Sequence, residues 1–290
     1  MPDYGSPTVR RRRLAAELRR LRDQSGLTGD DVAARLGWSA SKISRYELGR
    51  TGLKPPEVRK LLDFYGVQSS HKDQLLALAR EATEKGWWEA FSDDLPEVYA
   101  DFIGLENEAT SMWIWQIECV PGLLQTEDYA RQVNSGYRRL AAMPPLKMER
   151  RVQARLLRQQ ILTRDPRPEL SVVIDESALL RELADPPVMR AQLERLAEIS
   201  QMPDVTVRVL PMHGPHPIII GSFTILRFGE ARETTLPDVV YGEHLGNSLF
   251  FEGETDTFQY LESHRSLTEA ALTVAASVEL IVDVSRRVWS

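Results

Sequence analysis

A single cysteine, Cys119, in 290 residues leaves no internal disulfide framework and no cysteine-built zinc site. No apolar run approaches the roughly 20 residues of a membrane span, and the arginine run Arg10–Arg13 has no apolar segment behind it of the kind a secretory signal carries. A cytoplasmic protein is expected. Catalytic patterns are also missing. There is no G-x-S-x-G elbow, no GxxxxGK[ST] phosphate loop and no H-E-x-x-H pair. His213 and His216 are three apart in PMHGPHP, a spacing metal sites use, but no second pair completes a ligand set. Asp175 and Glu176 are adjacent, an arrangement that suits helix capping better than convergence on a substrate. Cys119 reads as a buried small hydrophobe. The expectation is no enzyme, no cofactor and no metal.

What is present is an ordinary globular composition, 42% hydrophobic and 27% charged, with an uneven charge distribution. Residues 1–85 hold 17 basic and 11 acidic side chains, net +6; residues 86–290 hold the other 19 basic and 31 acidic, net −12. A small basic unit ahead of a larger acidic one suggests that the first meets a polyanion and the second does not.

The first eight residues, with Pro2, Gly5 and Pro7, read as a disordered start. Five short helices then follow over 9–85. Leu14, Leu18 and Leu21 mark the first, which Gly26 stops. Thr28 with Asp31 is a capping-box-like start to the second, which ends at Gly37. Ser39 caps a third that ends at Gly49; Pro55 or Pro56 opens a fourth, and the fifth covers Ser70–Thr83. Residues 86–97 read as a linker. Residues 98–290 mix helical patterns over Leu105–Glu118, Thr126–Tyr137, Leu146–Leu162, Ser177–Leu183 and Pro187–Ser200 with strands at Leu170–Ile174, Val205–Leu210, Phe223–Phe228, Val239–Tyr241 and Ser248–Phe251. Helices at Thr255–His264 and Leu267–Val288 close the chain. The expected architecture is an all-α five-helix domain followed by a mixed α/β (α+β) domain.

The segment Leu27–Arg50, LTGDDVAARLGWSASKISRYELGR, has the plan of two helices joined by a tight turn at Gly37. Val32, Ala33, Leu36 and Ile43 fix the interhelical packing. Ile43 and Tyr46 point inward, so Ser41, Lys42, Ser44 and Arg45 form the outward face that could meet base edges, Arg45 by bonding guanine O6 and N7 together. Ser39 offers a hydroxyl to phosphate, and Thr28 and Arg50 join the candidate contacts at the segment's two ends. Glu47 reads as a structural partner for nearby basic groups. The arginines at 10–13, 19, 20 and 22 are either a basic arm or a solvated helix face.

GWSASKISRYELGR resembles the recognition segment of the Xre family of helix-turn-helix regulators, whose lambda-repressor-like five-helix frame also fits. The resemblance implies that Ser39 touches the DNA backbone and that Ala40, Ser41 and Arg45 face the bases. Gly29 and Ala40 stand where many members carry glutamines, which shifts weight to Ser41, Lys42 and Arg45. Further on, LENEA (105–109), VPGLLQTEDYA (120–130), RLLRQ (155–159), DESALL (175–180), QLERL (192–196), VTVRVLP (205–211) and GSFTIL (221–226) are together similar to the antitoxin-like domain of unknown function attached to actinobacterial, Streptomyces-type Xre regulators. That resemblance implies a small partner protein from a neighbouring gene.

In this second half Arg151, Arg155 and Arg158 form a row that either holds an anionic ligand or acidic partner or is an ion-paired face. Trp113 and Trp115, two apart on an expected helix, cannot share one narrow face; one belongs to the core and the other to a pocket or subunit contact. The reading is a homodimeric regulator on double-stranded, palindromic DNA, with no membrane association, controlled through its second domain. Two others stay open: an antitoxin-like protein that chiefly binds a small partner, and a small-molecule sensor.

Overall fold

The structure, a computed structural model, describes residues 6–49, 52–141, 143–229, 236–244 and 247–290; Arg50 and most of the expected disordered start lie outside them. The chain divides into two compact units, Met1–Glu89 with Phe228–Leu236, and Ala90–Arg227 with Pro237–Ser290.

The first unit holds five helices: α1 (Pro7–Gln24), α2 (Gly29–Leu36), α3 (Ala40–Glu47), α4 (Pro55–Phe64) and α5 (Ser69–Glu81). Local signals set their ends. Pro7 and Pro55 occupy first-turn positions, where a missing N–H costs no helical hydrogen bond. Thr28 and Asp31 exchange the two bonds of a capping box. Gly26, Gly37, Gly49 and Gly66 follow the helices in left-handed conformations. Leu14 and Leu18 of α1, Val32 of α2, Ile43 and Tyr46 of α3, Val58 and Leu62 of α4 and Leu75 and Ala79 of α5 share one buried cluster. α1 begins at Pro7, two residues before the expected start.

The second unit is built on one six-stranded sheet in the order β3-β2-β1-β4-β5-β6, formed by β1 (Ser111–Gln116), β2 (Glu169–Asp175), β3 (Val205–Leu210), β4 (Phe223–Arg227), β5 (Val239–His244) and β6 (Asn247–Phe251). β1, β2 and β3 run parallel; β1–β4, β4–β5 and β5–β6 are antiparallel. Around the sheet are α6 (Glu97–Glu108), α7 (Glu127–Ala141), α8 (Pro145–Arg158), α9 (Ser177–Leu180), α10 (Pro186–Ile199), α11 (Glu254–Ala270) and α12 (Val274–Arg287). The all-α domain followed by an α+β domain is as expected.

Three local expectations are corrected. The helix placed over Leu105–Glu118 ends at Glu108, and Ser111–Gln116 is a strand at the middle of the sheet. SMWIWQ carries four consecutive apolar side chains, Met112–Trp115, two of them tryptophans and one β-branched, which suits a central strand covered on both faces better than a one-sided helix. Trp113 and Trp115, two apart, therefore lie on the same sheet face. The last two helices break at Ala271–Thr273 rather than near His264. There the Thr273 hydroxyl caps α12 by accepting from Ala276 N (3.3 Å), and Leu272 N donates to Val209 O of β3 (2.9 Å). Finally, the expected linker carries a 3₁₀ turn at Trp87–Phe91, and its later part is fastened to α8. Lys147 donates to Asp93 O (2.9 Å), Arg150 to the Asp94 carboxylate (3.0 Å) and Arg151 to Asp94 O (2.8 Å).

Candidate nucleic-acid interface

α2 and α3 meet through a turn in which Gly37 has φ +67°, a conformation that costs glycine little and any side chain more. Ser39 then starts α3, its hydroxyl accepting from Lys42 N at 3.2 Å. Ile43 and Tyr46 are buried, and the Tyr46 hydroxyl donates to Glu57 at 3.0 Å, which fixes the rotation of α3. Arg22 grips Glu47 with two nitrogens, at 2.7 and 3.0 Å, tying α3 to α1. Glu47 thus has the structural partner its position suggested.

With α3 oriented in this way, Ala40, Ser41, Ser44 and Arg45 are exposed. Ser41, Ser44, Arg45 and Leu48 fall at i, i+3, i+4 and i+7, one stripe along the helix. Arg45 makes a long bond to its own helix, Nε to Ser41 O at 3.3 Å, and has no acidic partner among the described residues. An open groove runs beside the stripe, with Arg19 of α1 and Thr28 and Asp30 at the start of α2 on its other wall. The Thr28 hydroxyl is engaged with the Asp31 carboxylate at 2.6 Å.

Lys42 does not join this face. Its ammonium lies 2.7 Å from Glu57 and 4.2 Å above the centre of the Trp38 ring, so it is committed inside the unit. The hydrogen bond from Lys42 to Glu57 raises the lysine pKa above its ordinary value. Most of the arginine arm for which the structure gives partners is likewise committed: Arg10 to Glu81 and Glu84, Arg20 to Glu17, Arg22 to Glu47. Leu48 was not singled out in the sequence. Its side chain is 50% exposed at the end of the stripe, where an apolar group can meet a thymine methyl. Its i+7 spacing from Ser41 is the signal that would have found it.

The candidates of the second unit separate. Arg158 is buried and bonds both oxygens of Glu106, at 2.7 and 2.6 Å, and the Tyr99 hydroxyl, which makes it structural rather than part of a displayed row. Arg151 is spent on Asp94 O. Arg155 is half-buried and donates to the Gln125 side chain at 2.9 Å. Trp115 is fully buried in the core, its Nε1 donating to Ile220 O at 3.2 Å, while Trp113 packs against His264 with ring centres 5.2 Å apart. Asp175 caps Ser177 N at 2.9 Å, a local structural bond. Burial pushes the Cys119 thiol up to about 11. Among the described residues no three His, Cys, Asp or Glu side chains are placed to hold a metal, and no helix is long and apolar enough to cross a membrane.

A five-helix unit presenting a polar, arginine-bearing second motif helix defines a helix-turn-helix protein with a larger α+β unit attached. A helix-turn-helix domain profile matches residues 13–75, which points to a DNA-binding regulator. The domain of unknown function DUF5753 matches residues 99–283, well over half of the chain, and the chain belongs to that family. No curated protein and no solved structure matches it.

Proposed function

We propose that this chain is a sequence-specific transcriptional regulator of the actinobacterial Xre type, a homodimer that reads a palindromic operator through α3 and is controlled through its second unit. The observation that carries the reading is the exposed stripe Ser41, Ser44, Arg45 and Leu48, held in place by the buried Ile43 and Tyr46. Such a helix can enter the major groove with Arg45 at guanine and Ser39, at its N-terminus, at phosphate. One small bundle makes few contacts, so two copies on half-sites about one helical turn apart are needed for specificity. No catalytic step enters this reading; the protein acts by binding.

The test is binding to a genomic fragment pool at two salt concentrations, wild type beside Arg45→Ala. Discrete inverted-repeat sites, lost in the variant and weakened steeply by salt, are expected. Weak and uniform binding by both proteins would overturn the proposal in favour of a protein that chiefly binds a small partner. Ile219, Phe258 and Met212 of the second unit, all more than half exposed, are the observation on that side.

A further inference from the structure

The strand register of the second unit places Ile114, Thr224 and Tyr241 side by side across β1, β4 and β5, on the face opposite Trp113 and Trp115. Two residues further on in β1 and β5 are Gln116 and Glu243, and Ser222 directly precedes β4. Over these residues α6, α8 and the segment Pro121–Gln125 enclose a cavity of about 340 Å³, within the size range of small-molecule sites. It opens at the C-terminal end of β1, where the parallel half of the sheet meets the antiparallel half.

The walls are chemically divided. Tyr99, Phe102 and Tyr241 form an aromatic side, with Phe102 and Tyr241 stacked at 4.1 Å between ring centres. Arg158, above them, is neutralised by Glu106. Three further charged side chains line the cavity. Arg155 enters from α8 and bonds only the neutral Gln125, with no carboxylate partner among the described residues. Glu118 and Glu243, both solvent-exposed, also line the cavity; Glu118 accepts from the Ser222 hydroxyl and from Gln116 at 3.4 Å. Elsewhere in this unit Arg131, Arg150, Arg190, Arg227 and Arg265 are ion-paired, whereas Arg151 and Arg208 bond backbone carbonyls. A half-buried guanidinium bonded to a neutral amide, beside a cavity that two exposed carboxylates also line, is a feature a dipolar ligand would complete.

We propose that this cavity binds a small zwitterion of the amino-acid type. Its carboxylate meets Arg155, its ammonium meets Glu118 and Glu243, and its apolar or aromatic body lies against Tyr99, Phe102 and Tyr241. The site does not depend on the DNA-binding reading. It does give that reading an effector, because α8, which carries Arg155, also carries Arg150 and Arg151, which hold Asp94 near the start of the second unit.

Calorimetric titration of the full chain tests this with three probes: L-phenylalanine, 3-phenylpropionate, which lacks the amine, and 2-phenylethylamine, which lacks the carboxylate. Phenylalanine should bind most tightly. Arg155→Gln should weaken phenylalanine and phenylpropionate by about tenfold or more while sparing phenylethylamine, and Glu243→Gln should weaken phenylalanine and phenylethylamine. Thr224→Phe, which fills the cavity without touching a charge, should abolish binding of all three, with circular dichroism confirming that each variant folds. No saturable heat from phenylalanine up to about 10 mM would overturn the proposal, as would binding unchanged in Arg155→Gln and Thr224→Phe. Phenylpropionate binding as tightly as phenylalanine would overturn the zwitterion assignment.

Discussion

Arg45 and Lys42 sit three residues apart on one short helix, and their surroundings give them different work. Arg45 has only a long bond to its own backbone, whereas Lys42 is claimed by Glu57 and Trp38. Lys42→Met should therefore leave operator discrimination intact and lower the stability of the first unit by about 1 kcal/mol or less, since the pair is partly exposed and screened. Arg45→Ala should do the reverse, costing about 1–3 kcal/mol of discrimination at one base pair with no change in melting. Competition binding to single-base operator variants, run beside urea melts, separates the two; a Lys42→Met protein that loses discrimination would return Lys42 to the recognition face. His264 offers a second test. Burial between α11 and the sheet lowers its pKa from 6.5 to about 4, against bonds to backbone carbonyls that favour the charged form. Above pH 6.5 the imidazole is neutral both folded and unfolded. Below it the unfolded chain takes up a proton that the folded chain resists until about pH 4, so stability falls across that window by roughly 3 kcal/mol. Melts between pH 7.5 and 4.5 should show a larger loss in wild type than in His264→Gln, and equal losses would remove His264 as the cause.

The elements of the first unit were legible because their signals are local. Thr28 and Asp31, Ser39 and Lys42, and Gly37 act within three residues of the helix ends they define. The partners of Lys42 and Arg158 were not legible, because Glu57 is fifteen residues beyond the first and Glu106 fifty-two residues before the second; for Arg158 the ion-paired alternative is the one the structure shows. β1 was read as helix for a related reason. Its neighbours β2 and β4 are Glu169–Asp175 and Phe223–Arg227, and the continuous apolar run Met112–Trp115 suits a buried helix segment as well as a strand. The turn that sets α2 against α3 is testable at this scale. A side chain at Gly37 would meet nothing within 4 Å, so Gly37→Ala should cost only the left-handed backbone, about 1 kcal/mol, and Gly37→Asn less. At Gly49, also left-handed, a Cβ would come within 3.3 Å of Arg12 Cγ, so Gly49→Ala should cost more than either. Urea unfolding of the three variants gives the order, and a more damaging Gly37→Ala would mean that the turn bears on packing as well as on backbone conformation.

At the scale of the molecule, the two stretches of opposite net charge, +6 over 1–85 and −12 over 86–290, act on any polyanion together. Base contacts by Arg45 are short-ranged and should be indifferent to the acidic stretch. Phosphate attraction is long-ranged, and at about 0.1 M salt the screening length is near 10 Å, comparable with the dimensions of a small bundle. The acidic residues should thus subtract from non-specific binding more than from operator binding, raising the ratio between the two. A fragment covering residues 1–89, shown to be helical by circular dichroism, should bind random duplex DNA more tightly than the full chain at about 50 mM salt, and the gap should close as salt approaches about 0.5 M, where screening is nearly complete. Equal affinities at low salt would mean that the acidic charge does not reach the bound duplex. In that case discrimination would rest on the α3 contacts alone, and Arg45→Ala would lower it by the same factor at every salt concentration.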